Sequence, residues 1–283
     1  MLEFEEQQGV TVVRIRHGKV NALDVELLDA LRGAMSDLES APAVVLTGTG
    51  PVFSAGADLD RIGAGGRAYA KEFLDALSLT CMAVFDHPRP VVTAINGHAV
   101  AGGCVLAAAG DLRIMAQGTI GLSELGVGVP FPTAALEIMR HATGSALQRM
   151  VMSAALLTPR QALSLGLVDQ VVEQPDRLSA VAVDAAARLA AVSAEVFTFS
   201  KRQLHRPVHE RIAAAEGDDR FVEDAWSSDA VQESIRGYLE GLRRPSPDAA
   251  RTRGAAHTPG SGAARPPRPD AVSARKPLRR QAE

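Results

Sequence analysis

The stretch VVTAINGHAVAGGCVLAAAGD, Val91 to Asp111, decides the fold. Its β-branched opening, VVTAI, reads as a buried strand, and Asn96-Gly97 suits a tight turn. The small residues Ala101-Gly102-Gly103-Cys104 then pass into an Ala/Leu-rich run, so a helix starts at or near the double glycine. Glycine there lets main-chain amides approach a ligand with no Cβ in the way. The first turn of a helix also leaves N–H groups without partners. Such a corner stabilises negative charge without a charged side chain, although close packing of helix on strand explains the small residues equally well. A second corner of the same kind separates the two readings. Phe53-Ser54-Ala55-Gly56-Ala57-Asp58-Leu59 follows a buried strand over Ala43–Thr47 and ends in an Asp placed to cap a helix.

Outward from these corners the chain alternates. Leu2–Gln7 and Val10–Arg16 form a hairpin about Gln8-Gly9. Asp24 caps a helix whose apolar face is Leu27, Leu28, Leu31, Met35 and Leu38. Gly63–Gly66 reads as mobile, and a helix runs from Arg67 to about Asp86 before His87-Pro88-Arg89-Pro90 stops it. Leu112–Met115 and Val168–Val172 are further strands; Thr133–Arg140 and Ala146–Ala155 are helices, and Thr158-Pro159 opens another that Gly166 ends. From Asp176 to Leu242 the chain is mostly helical, broken near Arg206-Pro207. No repeat with a clean period is visible. The pattern is an α/β layered domain closed by helices.

Composition bounds what the chain does. Hydrophobic residues make up 46% and charged residues 22%, enough to bury a sizeable core over 283 residues. The net charge of −3 gives no bulk reason to expect nucleic acid as partner. It is uneven, though. Eight Lys/Arg against three Asp/Glu give residues 245–283 a net +5, which leaves −8 on residues 1–244. That segment, rich in Pro, Ala, Gly and Arg and without aromatics, reads as a disordered basic tail. Cys81 and Cys104 lie in apolar surroundings and read as buried free thiols suited to a reducing compartment. The opening MLEFEEQQ is acidic and not a secretory signal, and no apolar run is long enough to span a membrane. The expectation is a soluble cytoplasmic protein.

Several chemistries are absent. There is no G-x-x-x-x-G-K-[ST] and no G-x-G-x-x-G after a strand. Gly121-Leu122-Ser123-Glu124-Leu125 lacks the second glycine of a nucleophile elbow. His205 and His209 are four apart but bracket Pro207 without an H-E-x-x-H, so no metal site is expected. Two glycine corners supply two amide donors to one anionic oxygen, which means acyl transfer or an enolate. Acyl transfer wants a Ser or Cys with a His base, and no convincing set is present. An enolate needs only a base beside the α-carbon. Glu124, in a short apolar segment between glycines, is the candidate, because partial burial raises its proton affinity; a surface or helix-capping Glu is the plain alternative. Asp58 reads as a helix cap rather than a catalyst, His98 near the corner as a packed residue with a place on the ligand pocket as the other reading, and Trp226 as an anchor for the closing helices.

Taken in order, Asn21-Ala22-Leu23, FSAGADL, INGHAVAGGC with GDLRI following, GLSELGVGVPFP and TPRQALSLGLVDQVV resemble the crotonase family, the enoyl-CoA hydratase/isomerase superfamily. The resemblance covers nearly all of residues 1–244 and not the tail. It implies a crotonase-like (ββα) spiral core over residues 1–192, a C-terminal helical trimerisation region over 193–244, and the tail over 245–283. It also implies an acyl-CoA substrate whose thioester oxygen sits between the amides of Ala57 and Gly102. Ala22, Leu23, Ala55, Asp58 and Leu59 fall where the family holds coenzyme A, and the basic run Lys201, Arg202, Arg206, Arg211 falls near its phosphates; a solvated helical face is the other reading of that run. Coenzyme A is part of the substrate, so no cofactor is implied; a homotrimer or hexamer is, with no membrane and no specific nucleic acid.

One departure matters. Hydratases of the family commonly carry a Glu directly after the GGC-like segment, where this chain has Val105; the second carboxylate is present as Glu124. That pattern resembles the Δ3,Δ2-enoyl-CoA isomerase branch and implies a single-base shift of a C3 double bond to C2. Enoyl-CoA hydration, or another crotonase reaction, is the competing reading. A coenzyme A-binding or assembly protein without turnover is a third.

Overall fold

Gln8 and Gly9 both take left-handed backbone, φ 53° and 75°, and this turns strand β1 (Leu2–Gln7) back onto β2 (Val10–Ile15). The computed structural model describes residues 1–215 and 217–243, so the tail expected over 245–283 lies outside the described residues. The remaining strands are β3 (Val44–Gly48), β4 (Val52–Ser54), β5 (Val91–Ile95), β6 (His98–Val100), β7 (Leu112–Met115), β8 (Ile120–Gly121) and β9 (Gln170–Val171). They form a six-stranded sheet, β1-β2-β3-β5-β7-β9, parallel after its first pair, and a three-stranded parallel sheet, β4-β6-β8.

Three times the chain runs up a strand of the large sheet, turns into a strand of the small one and leaves through a helix. The units are β3–β4 with the helix Leu59–Phe85, β5–β6 with Gly102–Ala108, and β7–β8 with Glu124–Val127. This is the ββα spiral the resemblance implies. No sequence period betrays it, because the three helices differ so much in length: 27, 7 and 4 residues. The turns of successive units touch. A Cβ on Gly97 would lie 1.8 Å from the Pro51 carbonyl oxygen, so only glycine fits. Asn96 ties the same turns together, its Oδ1 accepting from the Gly48 amide at 2.8 Å and its Nδ2 donating to the Gly50 carbonyl at 2.9 Å.

Period-two alternation sorts the large sheet into two faces. Val12, Val45, Val92 and Ile114 pack under Ala182, Val183 and Ala186 of the helix Leu178–Ala190. Val13, Ile15, Val44 and Leu46 face the main core, where the helices Val25–Asp37 and Leu59–Phe85 bury Leu27, Leu31, Phe73 and Phe85. Asp24 caps the first of these helices as expected, accepting from the Leu27 amide at 2.9 Å.

The glycines interrupt the stretch Leu59–Phe85 where the sequence places them: a short helix capped by Asp58 stops at Gly66, whose φ 63° and ψ −157° are not helical, and the helix resumes at Arg67. Two local expectations fail. Asn96-Gly97 leads not straight into a helix but into the short strand β6. Pro207 does not interrupt its helix, which spans Ala194–Ala214. Buried His205 and Val208 hold both flanks of the proline against the core, and the missing N–H falls on an exposed face. Residues Met1–Leu242 form one compact unit. Cys81 and Cys104 are buried and unpaired, and burial pushes the Cys81 thiol up to about 12. No described helix is long and apolar enough to cross a membrane.

Candidate active site

The first corner hangs on Leu23. Its N–H donates to the Gly56 carbonyl at 2.8 Å and its carbonyl accepts from the Asp58 amide at 2.9 Å, a parallel bridge opposite Ala57. In a parallel pairing both groups of one residue reach the neighbours of its partner. The N–H of Ala57 therefore points away from Leu23, and it meets no acceptor among the described residues. Gly56 makes this approach possible. Its φ is +83°, and a Cβ there would lie 2.7 Å from the Val100 carbonyl oxygen and 3.4 Å from the Gly102 nitrogen. The two corners thus touch at Gly56.

In the second corner Ala101 carries the strain, with φ 52° and ψ −125° on a residue that has a Cβ. The Ala101 amide donates to the Gly121 carbonyl at 2.9 Å, and its own carbonyl accepts from Cys104 and Val105 at 2.8 and 3.1 Å. That bent residue opens the helix Gly102–Ala108, so the Gly102 N–H has no intrahelical acceptor and no other partner among the described residues.

Glu124 enters from the third unit. Its backbone starts the short helix after β8, and its carbonyl is consumed by Gly128 and Val129 at 2.9 and 3.0 Å. The side chain is only 8% exposed, and its Oε2 is buried with no hydrogen-bond partner. Burial pushes the carboxyl up to about 7, against the opposing pull of the nearby backbone N–H groups of Glu124 and Ser123.

One cavity of about 70 Å³ gathers these groups. Ala57, Gly102 and Glu124 line it together, as do Ala55 and Leu59. The remaining wall is mainly apolar, and it includes Val105, which is 1% exposed. Among the described residues Glu124 is the only carboxyl on that wall. Ala22, Leu23 and Asp58 do not line the cavity. Leu23 is fully buried beneath the Ala57 corner, and Asp58 accepts from the Arg61 amide at 3.0 Å as a helix cap.

Other expectations are redrawn by contacts. His98 is neither packed nor in the cavity; it is the exposed first residue of β6, its Nδ1 within 2.9 Å of Thr119 Oγ1. The basic run is not one solvated face. Lys201 is buried and paired with Asp111 at 2.9 Å, while Arg202, Arg206 and Arg211 are exposed, the last paired with Glu137. His205 and His209 both reach Asp86 Oδ1, at 3.2 and 3.1 Å. Trp226 does anchor its helix, but it also lines the cavity with Phe73 and Tyr238, a role the sequence reading missed. The spacing of Val222 and Trp226, one helical turn apart and both buried, was the available signal that this face turns inward.

Two unmatched amides against one buried carboxyl, on a threefold strand–turn–strand–helix scaffold, mark an enzyme of the crotonase class. A family model described as enoyl-CoA hydratase/isomerase matches residues 5–246, and the chain belongs to that family. It is 30% identical over 253 residues to human enoyl-CoA delta isomerase 1, mitochondrial, covering 86% of this chain and 83% of that protein. It is 27% identical over 248 residues to the rat enoyl-CoA hydratase domain-containing protein 3, mitochondrial, covering 85% and 82%. Among solved structures, human mitochondrial delta3-delta2-enoyl-CoA isomerase superposes with a TM-score of 0.80 at 29% identity, covering 86% of this chain and 98% of that one.

Proposed function

We propose that the protein is an enoyl-CoA isomerase that moves a C3 double bond to C2 with Glu124 as its single base. The Glu124 carboxylate takes a proton from C2. The electrons shift to the thioester oxygen, giving a dienolate whose negative charge the Ala57 and Gly102 amides hold. The protonated Glu124 then returns the proton at C4, and the double bond reforms between C2 and C3. A carboxyl poised at about 7 serves in both roles, since the same group must accept and then donate. The observation that carries this reading is Glu124 itself, buried with Oε2 unpartnered beside two unmatched amides and facing no second carboxyl among the described residues.

Hydration is the second reading, favoured by the relatives named as hydratases. It requires a held water and a proton relay, and apolar Val105 offers neither. Replacing Glu124 by Gln tests the base. Isomerisation of a 3-enoyl-CoA falls by at least about 10²-fold, while coenzyme A ester binding survives. Near-normal turnover by that variant would remove Glu124 from the mechanism.

We further assign self-association, as trimer or hexamer, to the helical region over 193–244. Val196, Phe199 and Leu204 on its first helix are 57%, 54% and 66% exposed, and isolated chains rarely leave side chains of that size clustered on one helix. Light scattering on the purified protein tests it; a monomer refutes it. Two unpaired buried thiols support a reducing compartment, in our reading the cytoplasm, whereas the isomerase relatives are mitochondrial by name.

A further inference from the structure

Burial gives the cavity a direction. Ala55 is exposed and Ala57, Leu59 and Ala101 are half-buried, so this side is the mouth. Phe73, Val129, Ala135 and Trp226, by contrast, are all buried and form the closed part of the wall. A substrate thioester held by the Ala57 and Gly102 amides therefore points its acyl chain toward these residues. Trp226 is the largest of them and the most firmly held. Its Nε1 donates to the Pro130 carbonyl at 2.9 Å, and Gln232 Nε2 donates to the Trp226 carbonyl at 2.8 Å. Its ring lies 6.2 Å from that of Phe73 at 36°. Fixed at both the indole and the backbone, it cannot swing aside without losing the part-buried hydrogen bond to Pro130.

We propose that Trp226 is the end wall of the acyl cavity and restricts the enzyme to short-chain enoyl thioesters. This rests on the enoyl-CoA reading above. The space available sets the limit: about 70 Å³ is half or less of the roughly 150 Å³ apolar cavity that accepts benzene. That space includes the mouth and the room beside Glu124, so it suits only acyl chains at the short end of the range.

The test separates chain length from catalysis. Affinity for a series of saturated acyl-CoA esters, from butanoyl to decanoyl, is measured by calorimetry, and kcat/KM is measured for 3-hexenoyl- and 3-decenoyl-CoA. In the unmodified protein affinity rises up to about fourfold per methylene over the shortest chains and stops rising before decanoyl. In Trp226→Ala the rise continues to longer chains, and the preference for 3-hexenoyl- over 3-decenoyl-CoA shrinks by about tenfold or more. Ala135→Val narrows the same end from the facing helix and moves the limit to fewer carbons, which keeps the idea testable if Trp226→Ala does not fold. Decanoyl binding by the unmodified protein in step with the fourfold rise overturns the proposal. So does a folded Trp226→Ala with an unchanged chain-length profile. A break in affinity within the series without isomerisation would sustain the wall and refute the isomerase reading.

Discussion

Replacing Glu124 by Gln should make the protein more stable at alkaline pH while disabling it. An ordinary glutamate titrates near 4.5, and burial pushes Glu124 up to about 7. At 1.36 kcal/mol per pH unit, the interval from 4.5 to about 7 is worth about 3 kcal/mol. The raised value means that the folded state favours the neutral acid. Below pH 4.5 the group is neutral in both states and costs nothing. Between 4.5 and 7 the unfolded chain gives up the proton that the folded chain keeps, so stability falls as pH rises. Above 7 both states are ionised and the full cost is present. The Glu124→Gln variant carries no such cost at any pH. Whatever offset the new amide's own pairing adds is independent of pH. The stability difference between variant and unmodified protein should therefore shift in the variant's favour by roughly 2 to 3 kcal/mol from pH 5 to pH 8.5. Urea unfolding at the two pH values reads this as a relative midpoint shift of about 1 M. The kcat/KM of the unmodified protein should rise with pH and level off above about 7, since the base works ionised. A midpoint difference that is the same at both pH values would refute the burial argument.

Three further outcomes follow from the geometry. Gly56→Ala forces a Cβ to 2.7 Å from the Val100 carbonyl at a φ of +83°, so chemical denaturation should show a loss of about 1–3 kcal/mol and kcat should fall more than ester affinity. Val105→Glu brings a second carboxyl to the cavity, and hydration of crotonyl-CoA, followed by loss of enoyl absorbance, should rise from a slight level; no rise in a folded variant would mean that Val105 is not what suppresses water addition. Truncation after Arg244 should leave isomerase turnover within about twofold, because Glu124 and the two corners all precede it.

Much of this was legible because local chemistry and global fold agree. Asp24, Gln8-Gly9 and the small residues of both corners do in the structure what their types dictate. Glu124 stood out between glycines, and its burial bears out the direction expected of its proton affinity. What escaped depended on distant partners. Strand β6 is three residues long and owes its existence to β4 and β8 on either side. Lys201 reads as a surface cation until Asp111, 90 residues earlier, meets it. Pro207 reads as a break until His205 and Val208 are seen packed beside it. Trp226 and Tyr238 reach the cavity from helices far beyond Glu124 in the chain; the Val222–Trp226 spacing says that a face turns inward, not that it meets this cavity.

The central claim is that one buried carboxyl shifts a double bond and does not deliver water. Incubating the protein with a 3-enoyl-CoA and, separately, with the 2-enoyl-CoA, then separating 2-enoyl from 3-hydroxyacyl product, tests it most directly. The account predicts rapid conversion of the 3-enoyl to the 2-enoyl ester with little hydroxyacyl product from either. Efficient hydration of the 2-enoyl ester without isomerisation of the 3-enoyl ester would contradict it.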